Sequence, residues 1–265
     1  MLCNVKGIVL KSVEYGENDK LLTLLTHEKG KIVVCVKGGK SIKSKHMPSC
    51  ELFAYSEFGL YEKGGKYWVR ESFLCESFFR VRRDLEPMYL GQYLCEVASE
   101  FALFDMPDDT LLRLILNSLF LLCSDTKDRR IIKSAFELKA ASIEGFLPDV
   151  SGCAYCGGMT DTVYFEAIEG GIVCAECKDK LNRNEEVYER MAASPVLMLD
   201  QSLIDAMNYI VAAPIEKTFA FSMPDRELDR LSTVCETFLL HQVEHGFRTL
   251  DFYKSLQKPL GGNIK

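Results

Sequence analysis

The residues best placed to do chemistry in this 265-residue chain are Cys153-x-x-Cys156 and, after seventeen intervening residues, Cys174-x-x-Cys177. Each pair lies in a short turn, Cys-Ala-Tyr-Cys-Gly-Gly and Cys-Ala-Glu-Cys-Lys, so two thiolates from each turn can meet at one ion and close a tetrahedral zinc shell. Four sulfur ligands leave no open position for water or substrate, so the spacing predicts one structural zinc per chain and no catalytic metal. The competing readings are two disulfides or a thioredoxin-type redox pair. A redox pair normally follows a strand in a βαβ unit, whereas Gly152, Gly157, Gly158, Gly170 and Gly171 surround these cysteines with turns. The other cysteines, Cys3, Cys35, Cys50, Cys75, Cys95, Cys123 and Cys235, are scattered and mostly set among apolar residues. That suits small buried hydrophobes in a reducing compartment, and cytoplasm is expected.

A second feature is cationic. From Lys29 to Lys45 the chain reads KGKIVVCVKGGKSIKSK, with six lysines and no carboxylate. Lys31 falls on a predicted strand, and Lys37, Lys40, Lys43 and Lys45 fall on a Gly-containing loop. Such a loop can approach a polyanion backbone and neutralise successive phosphates, or it can stand as a solvated surface loop. Arg70, Arg80, Arg82 and Arg83 would extend the basic track. Tyr61, Tyr67 and Trp68 have rings that can stack on unpaired bases, although half-buried aromatics in strands more often pack across the sheet.

Three other patterns fail on their own chemistry. Gly39-Lys40-Ser41 lacks the first glycine of a phosphate-binding loop, since Val34 stands there. His241-Gln-Val-Glu-His245 has the inverted zinc-protease spacing, but no glutamate follows to supply a third ligand. A nucleobase deaminase needs His-x-Glu and an open zinc position, and none of His27, His46, His241 or His245 heads that motif. No catalytic residue is expected.

The elements that must position these groups change character near residue 83. Val5–Val13, Leu21–Thr26, Lys31–Val36, Leu52–Tyr61 and Tyr67–Phe73 are short β-rich runs separated by turn signals. Five such strands fit a small closed barrel, because closure removes exposed sheet edges; an OB-fold is the economical choice and an SH3-like barrel the runner-up. Beyond Arg83 the apolar period becomes helical over 85–104, 109–123 and 129–145, with Gly145 as a stop. Ser194-Pro195 reads as a helix start, and a long helix is expected from Asp225 to His245, ended by Gly246. The predicted class is therefore α+β and multidomain: a β-barrel (OB-fold) over 1–83, an α-helical domain over 84–150 and 182–265, and an inserted four-cysteine zinc-binding unit at 151–181.

Charge divides along the same line. Residues 1–83 hold fifteen Lys and Arg against nine Asp and Glu, a balance of +6, while the whole chain stands at -6. A basic N-terminal unit can bind a polyanion whatever the net charge, because local potential governs the encounter. No apolar run has signal-peptide or membrane-span length, so neither export nor a membrane span is expected.

Several of these segments, in order, resemble the RecO family of bacterial recombination mediators: Gly7-Ile-Val-Leu-Lys, Tyr15-Gly-Glu-Asn-Asp, Leu-Leu-Thr-Leu-Leu-Thr26 and Gly30-Lys31 at the start, then Gly145-Phe-Leu-Pro148 ahead of Cys153, Gly170-Gly171 ahead of Cys174, and His245-Gly-Phe-Arg-Thr-Leu-Asp-Phe-Tyr-Lys-Ser-Leu256. The resemblance implies a non-enzymatic protein that binds single- and double-stranded DNA through Lys31, Lys37, Lys40, Lys43, Lys45 and the arginines above. It implies annealing of complementary strands, and cooperation with RecR in loading recombinase onto strands coated by single-stranded DNA-binding protein (SSB), in the cytoplasm and at the nucleoid. A zinc hydrolase or deaminase, and a zinc adaptor that binds no DNA, are the alternatives. SSB tails are acidic with a hydrophobic tip, so Arg129, Arg130 and Lys133 beside Ile131 and Ile132 are the expected docking site. The competing reading of that segment is a solvated helix start whose isoleucines face the core.

Overall fold

The computed structural model describes residues 1–160, 162–181 and 195–257; Ser194 lies outside them, and in place of the helix expected to start at Ser194-Pro195 the chain forms a strand over Val196–Leu199, the next helix starting at Gln201 with Asp200 as its cap. Five strands, β1 (Leu2–Tyr15), β2 (Asp19–Thr26), β3 (Gly30–Val36), β4 (Tyr55–Lys63) and β5 (Lys66–Glu76), close into a barrel of order β1-β2-β3-β5-β4. All neighbouring pairs are antiparallel except β3 and β5, which run parallel. This closed five-stranded arrangement is the OB-fold. Alternation along the strands sends Val9, Leu22, Leu24, Ile32, Val34, Phe58 and Leu60 inward to a sealed core. β4 begins later than its apolar pattern predicts because Phe53 adopts a left-handed backbone, φ 71°. Its side chain is fully buried there, and its N–H still donates to Val9 O at 3.1 Å.

Three helices belong to the same compact unit: α1 (Leu85–Phe101), α2 (Asp109–Ser124) and, from the far end of the chain, the helix Arg248–Gln257. α1 stops short of residue 104 because the chain turns extended and bridges onto the start of β3. The Lys31 N–H donates to Leu103 O at 3.1 Å, and the Asp105 N–H to Lys31 O at 3.2 Å. Gly30 is required at this crossing, since its φ is 61° and a Cβ would lie 1.8 Å from Met106 O. Phe247, Leu250 and Tyr253 are buried, and Tyr93 meets Phe247 edge-on at 5.5 Å. The compact unit thus joins Met1–Lys127 to the described residues from Phe247 to Gln257.

The second unit, Asp128–Gly246, contains α3 (Arg129–Ile143), a four-stranded sheet of β6 (Asp149–Cys153), β7 (Val163–Glu166), β8 (Gly171–Cys174) and β9 (Val196–Leu199), and the helices α4 (Ala175–Leu181), α5 (Gln201–Ala212) and α6 (Asp225–Val243). Sheet order is β6-β8-β7-β9. α6 ends at Glu244, whose left-handed φ of 59° does what the sequence assigned to Gly246. The helix Arg248–Gln257 is hereafter α7. No described helix is long and apolar enough to cross a membrane.

Candidate metal centre and nucleic-acid interface

β6 and β8 lie side by side and in parallel, which brings Cys153 and Cys174 together at their adjoining ends, with Cys153 in register with Ile172. Cys156 returns through a tight turn in which the Gly157 N–H donates to Cys153 O at 2.8 Å, and Cys177 sits in the first turn of α4. Gly152 permits the turn, because a Cβ there would lie 2.8 Å from Gly157 O. The four sulfurs all fall within 4.8 Å of one another, and Cys156 Sγ and Cys174 Sγ are 3.8 Å apart. Three of the four cysteines are buried. That donor set suits one soft-ligand divalent ion in a closed shell, and these residues would hold it.

Burial opposes ionisation of Cys153, but backbone N–H groups of Cys174, Tyr155 and Cys156 point at its sulfur and bring the thiol down to about 6. Cys177 shares hydrogen bonds with the Cys174 thiol and is desolvated, and it is pushed up to about 12. Four thiolates at this spacing repel one another, and a dication would remove that conflict by its own charge. The sheet bearing the centre packs on α6, with Phe165 and Phe238 edge-on at 5.7 Å and the Gln242 amide donating to Ala167 O at 3.2 Å.

The lysine loop is pinned to the barrel by its backbone. The Gly38 N–H donates to the Asp19 carboxylate at 2.9 Å and the Lys40 N–H to Asn18 O at 3.1 Å. Lys37, Lys43 and Lys45 are exposed and carry no ion pair among the described residues. Lys40 is different, since its ammonium is 3.0 Å from Glu14 and 2.9 Å from Gly16 O.

Four expected contact residues are occupied by the fold itself. Lys31 turns onto its own unit, donating to Ser99 O at 2.6 Å over the Phe104 ring, and burial pushes its pKa down. Arg82 pairs with Glu51 at 3.2 Å. Arg130 is clasped by Asp128, Asp225 and Asp229 at 2.6 to 2.8 Å. Lys133 is 3% exposed and bridges Glu137 and Glu236, both at 2.8 Å. Ile131, Ile132 and Lys133 are buried while Arg129 and Arg130 stay half-buried, so α3 faces its isoleucines inward, as in the competing reading of that segment. Arg70 reaches Glu71 at 3.1 Å, and Arg80 and Arg83 line a concavity of about 530 Å³ with Phe79 and Phe120.

One pair was not read from the sequence as site residues, and one arrangement, around the Tyr61 and Trp68 rings that were, appears only in the fold. Lys63 and Lys66 are direct cross-strand partners flanking Gly64-Gly65, both exposed and both without an acidic partner among the described residues. Their signal was the Lys-Gly-Gly-Lys hairpin itself, since a two-residue turn must set its flanking side chains opposite each other. The arrangement is a row on the barrel exterior. Leu2 pairs with Tyr61, Tyr61 with Trp68, Trp68 with Cys35, Cys35 with Leu21 and Leu21 with Val13, so six apolar side chains follow one another across all five strands.

Comparison with known proteins covers both units over most of their length. The family described as Recombination protein O N terminal matches residues 1–78, and Recombination protein O C terminal matches residues 82–251. A protein named DNA repair protein RecO from Acetivibrio thermocellus is 31% identical over 253 residues, 95% of this chain and 96% of its own. One of the same name from Alkaliphilus metalliredigens is 30% identical over 97% of this chain and 100% of its own, and one from Caldicellulosiruptor bescii 26% identical over 97% and 99%.

Proposed function

This chain belongs to the RecO family, and from that premise we propose that it is a DNA repair and recombination mediator acting by binding and not by catalysis. Its barrel portion, residues 1–83, binds single- and double-stranded DNA, and the insertion at 151–181 holds one structural Zn²⁺ on Cys153, Cys156, Cys174 and Cys177. The observation that supports DNA contact is the loop carrying Lys37, Lys43 and Lys45: its backbone is fixed by Asp19 and Asn18 while the three ammonium groups stay unpaired among the described residues. Fixed, unneutralised cations on an OB-fold release phosphate counterions at low ordering cost. Lys40, Arg70, Arg80 and Arg83 contribute more weakly, each sharing its charge or lying in a concavity. Two polyanionic strands held on one basic face repel each other less and meet at high local concentration, which is how such a surface promotes annealing.

The family relationship supports work with RecR and with the acidic tail of SSB in the cytoplasm, at the nucleoid during repair. The tail contact is not assigned to Arg130 or Lys133. The zinc supplies crosslinking of the β6 turn to β8 and α4, and the four thiols leave no position for substrate. The test is titration of the full chain with DNA across a salt series, against a Lys37→Ala, Lys43→Ala, Lys45→Ala variant. Affinity should fall for all sequences alike, and the log–log salt slope should drop by about 0.7 to 0.9 per lysine. An unchanged slope places the DNA elsewhere.

A further inference from the structure

The four cysteines of the cluster differ in how far the fold shields them. Cys153, Cys174 and Cys177 are buried, at 3%, 3% and 9% exposure, whereas Cys156 is exposed on its turn. Space is open beside it: a Cβ added to Gly157, whose φ is 72°, would meet nothing within 4 Å. The turn is nevertheless held in place, since the Cys153 N–H donates to Gly158 O at 3.0 Å and the Ala154 N–H to Ile172 O at 2.8 Å. That anchoring keeps Cys156 Sγ 3.8 Å from Cys174 Sγ at the end of β8. A thiolate reachable from solvent with a second sulfur in contact behind it is the arrangement of an oxidisable cysteine and its resolving partner. Cys153 is the poorer resolving partner, because three backbone N–H groups already hold its sulfur.

The short helix α4 depends on the same cluster. Its seven residues are too few to hold a helix by their own hydrogen bonds, and Cys177, in its first turn, is the side chain that buries it against the site. A weaker second anchor is Lys178, whose ammonium lies 3.4 Å from the centroid of the Tyr164 ring on β7.

We propose that the cluster is a peroxide-responsive latch: oxidation joins Cys156 to Cys174, the site loses its zinc, and α4 is released from the sheet. The proposal rests on the zinc reading above. The Cys156 thiolate attacks one oxygen of hydrogen peroxide, so an S–O bond forms, the O–O bond breaks and hydroxide departs. The Cys174 thiolate then attacks the sulfur of that sulfenic acid, forming the S–S bond and expelling the second oxygen as hydroxide. Two electrons pass from the sulfurs to the peroxide, and both hydroxides take protons from solvent to leave as water. Cys153 and Cys177 then remain as two donors where a closed tetrahedral site needs four. The disulfide still ties the β6 turn to β8, so the sheet keeps its order, but Cys177 is untethered and α4 frays.

The test uses the full-length, zinc-loaded protein carrying Cys75→Ser, which removes the other exposed thiol. Elemental analysis fixes the zinc content first, and protein that holds no zinc would overturn the metal reading itself. Hydrogen peroxide should then release about one zinc per chain to a pyridylazo chelator, and peptide mass mapping should place the disulfide at Cys156–Cys174. Trypsin should cut after Lys178 and Lys180 roughly tenfold faster than before oxidation, and dithiothreitol with added zinc should restore resistance. Cys156→His keeps four zinc ligands but removes the exposed thiolate, so its zinc should leave at least about tenfold more slowly under peroxide. No release on peroxide treatment, a disulfide confined to one turn, or release from Cys156→His at an unchanged rate would each overturn the latch while leaving the zinc reading intact. Zinc loss without faster cleavage would show that α4 does not depend on the cluster, and would sink the proposal as well.

Discussion

Single side chains separate into those whose charge the fold uses and those it leaves for a ligand. Lys31 and Lys37 lie six positions apart in one basic stretch, yet Lys31 donates inward to Ser99 O while Lys37 is exposed with no ion pair among the described residues. Lys31→Ala should therefore lower the melting temperature and leave the DNA salt slope unchanged, whereas Lys37→Ala should do the reverse; equal slope changes would contradict the assignment. The cysteines divide in the same way. Cys50, Cys95 and Cys235 are buried and burial raises their thiols, to about 12 for Cys50, so they are poor nucleophiles and packing residues. Cys75 is exposed, unlike the apolar burial its type suggested. A thiol-reactive probe should label it ahead of the buried three. Cys153→Ser should remove zinc measured by elemental analysis and loosen the sheet around it, since structural zinc contributes on the order of 10 kcal/mol in small model domains.

At the level of elements, α3 and α6 are joined by charge as much as by apolar contact. Burial alone would drive Lys133 neutral, but Glu137 and Glu236 hold its pKa above the ordinary value. Removing one partner leaves an uncompensated buried charge, so Lys133→Ala should destabilise this unit by about 3 to 5 kcal/mol, read by urea denaturation. The Arg130 clasp at the rim is more exposed and gives a pH signature. The Arg130 side chain holds the Asp128 carboxyl below its ordinary value of 3.8. A depressed folded pKa means the stabilisation is fully present above the unfolded value and vanishes as pH falls through the folded one. Wild type should thus exceed Arg130→Ala in stability at neutral pH, and the two should converge below about pH 3.8. A gap that persists at lower pH would assign the clasp to packing instead.

For the whole molecule, the barrel does not stand apart from its helices. Leu103 and Asp105 extend the hydrogen bonding of β3, and α7 arrives from beyond the unit that carries the four-cysteine cluster in sequence to bury Phe247, Leu250 and Tyr253 with α1. Deleting the chain after Gly246 should consequently destabilise the barrel-containing unit by several kcal/mol, at about 1.5 to 3 kcal/mol for each large side chain lost from the core. Chelation of zinc should act the other way round, loosening Asp128–Gly246 while oligo-deoxythymidine binding by the barrel survives in part. What the sequence by itself determined was local and periodic: five alternating runs, the switch to helical spacing after Arg83, and two Cys-x-x-Cys turns whose chemistry admits few readings. Those features depend on neighbours along the chain, so they are legible there. Which lysine is left to solvent, which arginine is clasped, and that Leu2, Tyr61, Trp68, Cys35, Leu21 and Val13 form one row were decided only by tertiary structure. The physical reason is register. A cross-strand partner is set by barrel closure and hairpin geometry between residues as distant as Leu2 and Tyr61, and an ion pair by helices that meet only after folding, so neither leaves a mark on adjacent positions in the sequence.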